Sequence, residues 1–220
     1  MQTLHGTLHR TAPELEHALA RYRHDIFIRR LGWKLPVDDG LERDQFDDPD
    51  TFYVLSRDAH GAICGCACLL PTTRPYLLSE VFPDLMGGAP LPNGPDVWEL
   101  SRFSATPADP ACDVDPAANT RLLLAAVVES ALHLGARRLI SVSPLGVERL
   151  LHRMGVHAHR AGPPRLVDGK PVFACWIELD ATTRTALGVP RAPEPAGVGR
   201  PASRLPELHV TTPAVQAASN

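Results

Sequence analysis

Val97-Trp98-Glu99-Leu100-Ser101-Arg102-Phe103 alternates apolar and polar side chains and carries an acid, a hydroxyl and a guanidinium in one short run. In a β-strand successive side chains point to opposite faces, which puts Glu99, Ser101 and Phe103 on one face and Trp98, Leu100 and Arg102 on the other. A carboxylate beside a hydroxyl is costly against an apolar core unless that wall faces a cleft or satisfied partners. The segment therefore reads equally as the wall of a site or as an amphipathic edge strand. A flat strand cannot aim Glu99 and Arg102 into one pocket, so a shared site requires a bulge or twist near Ser101.

Upstream of this strand, residues 51–57 and 62–70 are β-rich runs joined by Asp58-Ala-His-Gly61, a hairpin signal. Before them, Thr11 and Glu14 read as a capping box with Pro13 in the first turn. The apolar residues Leu15, Leu19, Tyr22, Ile26 and Phe27 then recur at helical spacing, predicting a helix over 13–31 that ends at Gly32. Residues 36–50 lack periodicity and read as a long acidic surface loop. Residues 71–95 are broken by prolines, with room for one short helix over 79–85. Downstream, residues 116–134 are strongly helix-forming and mostly apolar, which predicts a helix packed on several sides. A buried strand over 138–143, a short amphipathic helix over 146–154 and a strand over 171–179 complete the order. This alternation gives an α/β domain, a mixed twisted sheet flanked by helices.

The chain has 220 residues, 44% of them hydrophobic, enough for one substantial domain over 1–188 followed by a Pro/Ala/Gly-rich extended or disordered tail over 189–220. A net charge of -3 excludes a strongly basic nucleic-acid binder. The distribution is more informative than the sum. Seven acids against the single Arg43 fall within 38–50, whereas seven arginines against Glu129 and Glu148 fall within 121–165, so an acidic partner can dock on the second half. No leader-like apolar run and no stretch of membrane-spanning length is present, which reads as a cytoplasmic protein with no stable membrane association. Cys64, Cys66 and Cys68 recur at period two, on one face of a strand. That is neither zinc nor dithiol spacing, so they read as small buried hydrophobes and no metal site is expected.

The layout resembles the GCN5-related N-acetyltransferases, in which an acyl thioester arm enters between two splayed central strands, here 97–105 and 138–143. That resemblance implies an acyl tunnel between the two strands. The turn Asp113-Val-Asp-Pro-Ala-Ala-Asn-Thr120 lacks the glycine-rich stretch that would cradle the pyrophosphate of coenzyme A, which points instead to a phosphopantetheine arm on a carrier protein.

Four further pieces carry a narrower resemblance: Tyr22-Arg23-His-Asp-Ile-Phe27-Ile-Arg-Arg-Leu-Gly-Trp33, Glu42-Arg-Asp44-Gln-Phe-Asp47, Leu69-Leu-Pro-Thr-Thr-Arg-Pro-Tyr76-Leu-Leu and Trp98-Glu99-Leu-Ser101-Arg102-Phe103. In that order and spacing they resemble the LuxI-type acyl-homoserine-lactone synthases, the autoinducer synthases of quorum sensing. The resemblance implies an acyltransferase that joins S-adenosylmethionine, a substrate rather than a cofactor, to an acyl chain on acyl carrier protein and releases methylthioadenosine. A medium-length acyl chain, no other cofactor and a monomer are expected. The chemistry assigns roles by residue type. Glu99 takes the amine proton, directly or through water, and Ser101 and Arg102 complete the catalytic set. Asp44 and Asp47 face the sulfonium and ammonium, Arg23 or Arg102 holds the carboxylate, and Phe27 and Trp33 offer aromatic faces.

Ser101, Phe103, Ser141, Val142 and Ser143 are the acyl-side candidates, and Arg149 and Arg153 the carrier-docking ones. A run of acids is ordinarily a solvated surface, and Phe27 on an apolar helix face is ordinarily core; the resemblance raises Asp44 and Asp47 above Asp48 and Asp50. One departure stands out, Cys68 where the resemblance implies an arginine, which either weakens activity or is covered by Arg74 or another nearby arginine.

Overall fold

The structure, a computed structural model, describes residues 1–8, residues 13–190 and the backbone of His209–Thr211. In chain order its elements are β1 (Gln2–Gly6), α1 (Pro13–Arg23) continued by a π-helical turn (His24–Arg30), the small hairpin β2 (Val37–Asp38) and β3 (Leu41–Glu42), β4 (Phe52–Arg57) and β5 (Ile63–Pro71). Then follow α2 (Leu77–Val81), a 3-10 turn (Pro83–Met86), β6 (Val97–Ser104), α3 (Pro116–His133), β7 (Arg138–Pro144) and α4 (Leu145–Arg153). β8 (Ala158–Arg160), β9 (Arg165–Val167), β10 (Lys170–Glu178), α5 (Ala181–Leu187) and β11 (His209–Thr211) complete the order. The expected capping residue Thr11 lies outside the described residues.

One large sheet runs β11-β1-β4-β5-β6-β7-β10-β8, with β9 hairpinned onto β10. Every neighbouring pair is antiparallel except β6 and β7, so the sheet is mixed, as the order of elements implies. The alternation of β5 sorts its two faces. Ala67 and Leu69 point to α3, whose apolar length packs with Trp98, Leu100, Leu139 and Phe173, whereas Cys66 and Cys68 point to α1 with Leu19, Tyr22 and Phe27. Asn119 of α3 is wholly buried and donates through Nδ2 to the carbonyls of Cys64 and Ala105, both at 2.8 Å, tying the helix to β5 and to the residue after β6.

The parallel pair β6–β7 is joined only through Val97–Arg138, Trp98–Leu139 and Glu99–Ile140. Beyond Glu99 the strands continue unpaired with each other, so the sheet forks.

Three expectations are corrected. The helix expected to run to residue 31 changes geometry after Arg23, and its last residues close on wider π-type bonds. The acidic stretch is no free surface loop: the β2–β3 hairpin folds it back, and Glu42 and Phe46 are buried. Cys64 does not share a face with Cys66 and Cys68, because one residue of β4 opposes two of β5 there and its thiol turns toward Ser56 Oγ and Asn119 Oδ1. Most of the expected tail over 189–220 lies outside the described residues. Of those described, Val189 is buried in the core and His209–Thr211 pair with β1 as an added strand.

Candidate functional site

Arg23 ends α1, where the helix passes into the π turn, and is only 2% exposed. Its Nε donates to Glu42 Oε2, its Nη1 donates to Asp47 Oδ1 at 2.5 Å, and its Nη2 lies 3.6 Å from Asp44 Oδ2 without a hydrogen bond among the described residues. Arg102 meets the same acids from the sheet. Its Nε and Nη2 donate to Glu42 Oε1 at 3.1 and 3.0 Å, and Nη2 also donates to Asp44 Oδ2 at 2.5 Å. Glu42, 0% exposed, thus gives one oxygen to each arginine. Asp47 is held further by Tyr53, whose hydroxyl donates to Oδ1 at 2.8 Å, and by the Asp44 amide, 2.8 Å from Oδ2.

Arg102 reaches this cluster because β6 bulges. Cys68 pairs with Ser101 and Cys66 with Ser104, so three steps along β6 oppose two along β5, and Arg102 takes a left-handed φ of 51°. The Cys66 thiol donates to the displaced Arg102 carbonyl at 3.1 Å. As a result Ser101 and Arg102 both face α1, and Phe103, expected beside Ser101, packs instead against the α3-side core. Ser141 and Ser143, hydrogen-bonded to each other at 3.0 Å, pair with Cys175 and Phe173 and share that far side, while Val142 packs with Leu70 and Ile140 on the near one.

The aromatic pair is built by a helix ending. Gly32 adopts a φ of 65°, its amide bonds to Ile28 O, and the Trp33 amide bonds to Phe27 O at 2.9 Å. This is the Schellman pattern of paired terminal bonds, widened by one residue to suit the π turn, and its usual hydrophobic contact appears as Trp33 on Phe27 with ring centroids 4.9 Å apart. The Arg102 guanidinium lies 5.9 Å from the Phe27 ring centre. Phe27 is buried, so it is core as its helix face implies, with Trp33 packed on it.

Charge follows from the count: two arginines against three carboxylates leave the cluster at -1. Burial raises the Asp44 carboxyl above its usual range, with Arg102 offsetting part of that rise. Burial pushes Asp47 the same way, but Arg23 outweighs it and the net shift is downward. Cys68 lines a gap of about 10 Å³ between Arg23, Asp47, Ser101 and Arg102. Arg74 lies at the surface and pairs with Asp50 at 2.6 Å.

Glu99 is 0% exposed, on the near face of β6. Its two oxygens accept the Leu77 and Leu78 amides at 2.7 and 2.9 Å, at the start of α2. Burial pushes its carboxyl up to about 8, and the two amides oppose that rise. Arg149 and Arg153 lie one turn apart on α4, exposed and without an ion pair among the described residues. Sequence reasoning missed Glu42 and Tyr53; Glu42 stood inside a quoted matching segment, and Tyr53 on the inward period of its strand.

Residues 8–187 match the autoinducer synthase family model. The chain belongs to that family. This autoinducer synthase is 56% identical over 196 residues to the acyl-homoserine-lactone synthase of Ralstonia nicotianae (strain ATCC BAA-1114 / GMI1000), covering 87% of this chain and 96% of that protein. Among solved structures, TofI in a ternary complex with an inhibitor and MTA is 50% identical with a TM-score of 0.77, covering 86% of this chain and 98% of that one. BjaI, a CoA-dependent acyl-homoserine lactone synthase with SAM and isopentyl-CoA, is 28% identical with a TM-score of 0.75, covering 87% and 92%. An N-acetyltransferase structure from Lactobacillus plantarum, 18% identical with a TM-score of 0.52 over 76% of this chain and 93% of that one, shows the shared acetyltransferase fold. The autoinducer synthase is thus an acyltransferase of the acyl-homoserine-lactone type. Among its described residues no helix is long and apolar enough to cross a membrane.

Proposed function

We propose that this synthase joins S-adenosylmethionine to a medium-chain acyl group carried on acyl carrier protein. The observation that carries the reading is the buried cluster with its net negative charge beside the Phe27–Trp33 pair at the root of the fork. Asp44 and Asp47 face the ammonium and sulfonium, Trp33 and Phe27 the adenosyl part, and Arg23 or Arg102 the carboxylate. Glu99 keeps a lone pair on each oxygen and takes the amine proton directly or through one water. The freed amine attacks the thioester carbonyl, the C–S bond breaks, and an amide and a thiol result. The α-carboxylate oxygen then attacks the γ-carbon, expelling methylthioadenosine and closing the lactone.

On the acyl side, Ser101 and Val142 lie on the near face of the fork and Phe103, Ser141 and Ser143 on the far one, which suits a chain threading between β6 and β7. The entry to α3 supports a carrier-borne donor. Asp115 caps that helix by accepting the Ala117 amide, so an acid occupies the place where a coenzyme A pyrophosphate would need free amides. Arg149 and Arg153 suit an acidic carrier protein. The CoA-dependent relative BjaI makes an acyl-CoA donor the competing reading. Incubation with S-adenosylmethionine and octanoyl carrier protein, in parallel with octanoyl-CoA, decides: methylthioadenosine and octanoyl-homoserine lactone are expected from the carrier thioester. Preference for octanoyl-CoA overturns the donor assignment, and no lactone from any acyl chain overturns the reaction.

A further inference from the structure

The fork opens toward the C-terminal end of β7, and there antiparallel pairing sets Val172, near the start of β10, beside Pro144. The β9–β10 hairpin therefore stands at the fork's open end. Its turn does not hang free. Lys170 Nζ donates to the Leu31 carbonyl at 2.7 Å, and Lys34 Nζ lies 4.0 Å from Asp168 Oδ1. Leu31 is the C-cap of the π turn, where carbonyls lack helical partners and a lysine is favoured. The Lys34–Asp168 pair is 83% and 61% exposed and contributes little, so Lys170 is the main tie. Leu31 and Lys34 flank Trp33. The hairpin on the β7–β10 side thus grips the segment that presents the aromatic platform on the α1 side.

We propose that Lys170 is a positioning residue for the S-adenosylmethionine side of the reaction: by capping Leu31 it fixes the turn carrying Trp33, and so links the two sides of the fork across its mouth. The inference rests on the reading of Trp33 given above. A chain of contacts carries the effect inward, from Lys170 to Leu31, then Trp33 on Phe27, then Phe27 beneath Arg102.

Two readouts test it. In Lys170→Ala, amide hydrogen exchange across residues 31–35 is expected to quicken. KM for S-adenosylmethionine should rise about five-fold, the scale of one exposed charge-assisted hydrogen bond, with kcat, acyl-donor KM and Tm little changed. Lys170→Arg keeps a cation within reach and should restore both readouts, and Arg165→Ala on the same hairpin should change neither. Unchanged exchange in Lys170→Ala overturns the clamp. Faster exchange with an unchanged S-adenosylmethionine KM overturns its positioning role, as does a joint rise in both KM values with a fall in Tm. Trp33→Ala separates this from the site reading: if that variant leaves the S-adenosylmethionine KM unchanged, the aromatic platform fails and the positioning role fails with it. The exchange data on Lys170→Ala still decide whether the clamp exists.

Discussion

Glu42 takes one carboxylate oxygen to Arg23 and the other to Arg102, so Glu42→Gln would leave two buried guanidinium groups facing an amide. Removing one partner from a buried ionic network costs on the order of 3–5 kcal/mol, and urea unfolding should show a lower midpoint with little change in slope. Asp47 predicts the response to acid. Its carboxyl is held below the usual range in the folded state, so its contribution is complete above the unfolded value and is lost as pH falls through the folded one. Between pH 5 and 3 the Tm of the parent protein should therefore fall more steeply than that of Asp47→Asn. Glu99 predicts the opposite limb in activity. A base whose carboxyl titrates at about 8 becomes competent as pH rises through that value, so kcat/KM should climb there, and Glu99→Gln should lose both the limb and most of the rate. Arg23 and Arg102 were legible through the segments that resemble the family rather than through a local period. Glu42 was not, because nothing in a run of acids marks which one the chain will fold inward.

At the level of elements, the bulge of β6 was legible as a requirement, since Glu99 and Arg102 could share a site only if the strand lost its strict alternation. What it did to Phe103 was not, because the extra residue flips everything after it and its position is set by pairing with β5. The π turn was equally hidden: Ile26 and Phe27, near its start, stay buried as an α-helical period requires, so their spacing does not tell the two helices apart. The short strands β1, β8 and β9 were missed because each is too brief to establish a period. Gly162 is a place where the backbone tolerates no side chain. A Cβ there would lie 2.3 Å from Leu85 O and 2.9 Å from the Gly87 amide, so Gly162→Ala must move the loop off the 3-10 turn. A loss of about 1–3 kcal/mol is expected in denaturant unfolding, with no change in the pH profile of activity.

Across the whole molecule, the acidic cluster lies beside α1 and the exposed Arg149 and Arg153 lie on α4, beyond the fork. Reversing both Arg149 and Arg153 to Glu should lower kcat/KM with acyl carrier protein about ten-fold or more at low salt. The loss should shrink as salt rises, and activity on a small acyl thioester should be spared. Steady-state kinetics at two ionic strengths checks this. The order of helices and strands was enough to read an α/β domain, because each main element carries its own period and stop signal. The splay of β6 from β7 depends on which residues fail to pair across strands distant in sequence, and no local pattern records it.

Only three positions pair β6 with β7, although both strands run on well past them. The residues proposed to face S-adenosylmethionine lie no later in the chain than β6, while β7 and the basic helix follow. A single cut within 106–115 would therefore yield two pieces, each lacking what the other supplies. Only the second would carry α3, whose Asn119 grips backbone carbonyls of the first. Expressed separately, the pieces should form a split enzyme, silent apart and signalling together, with lactone output reporting whatever brings them into contact.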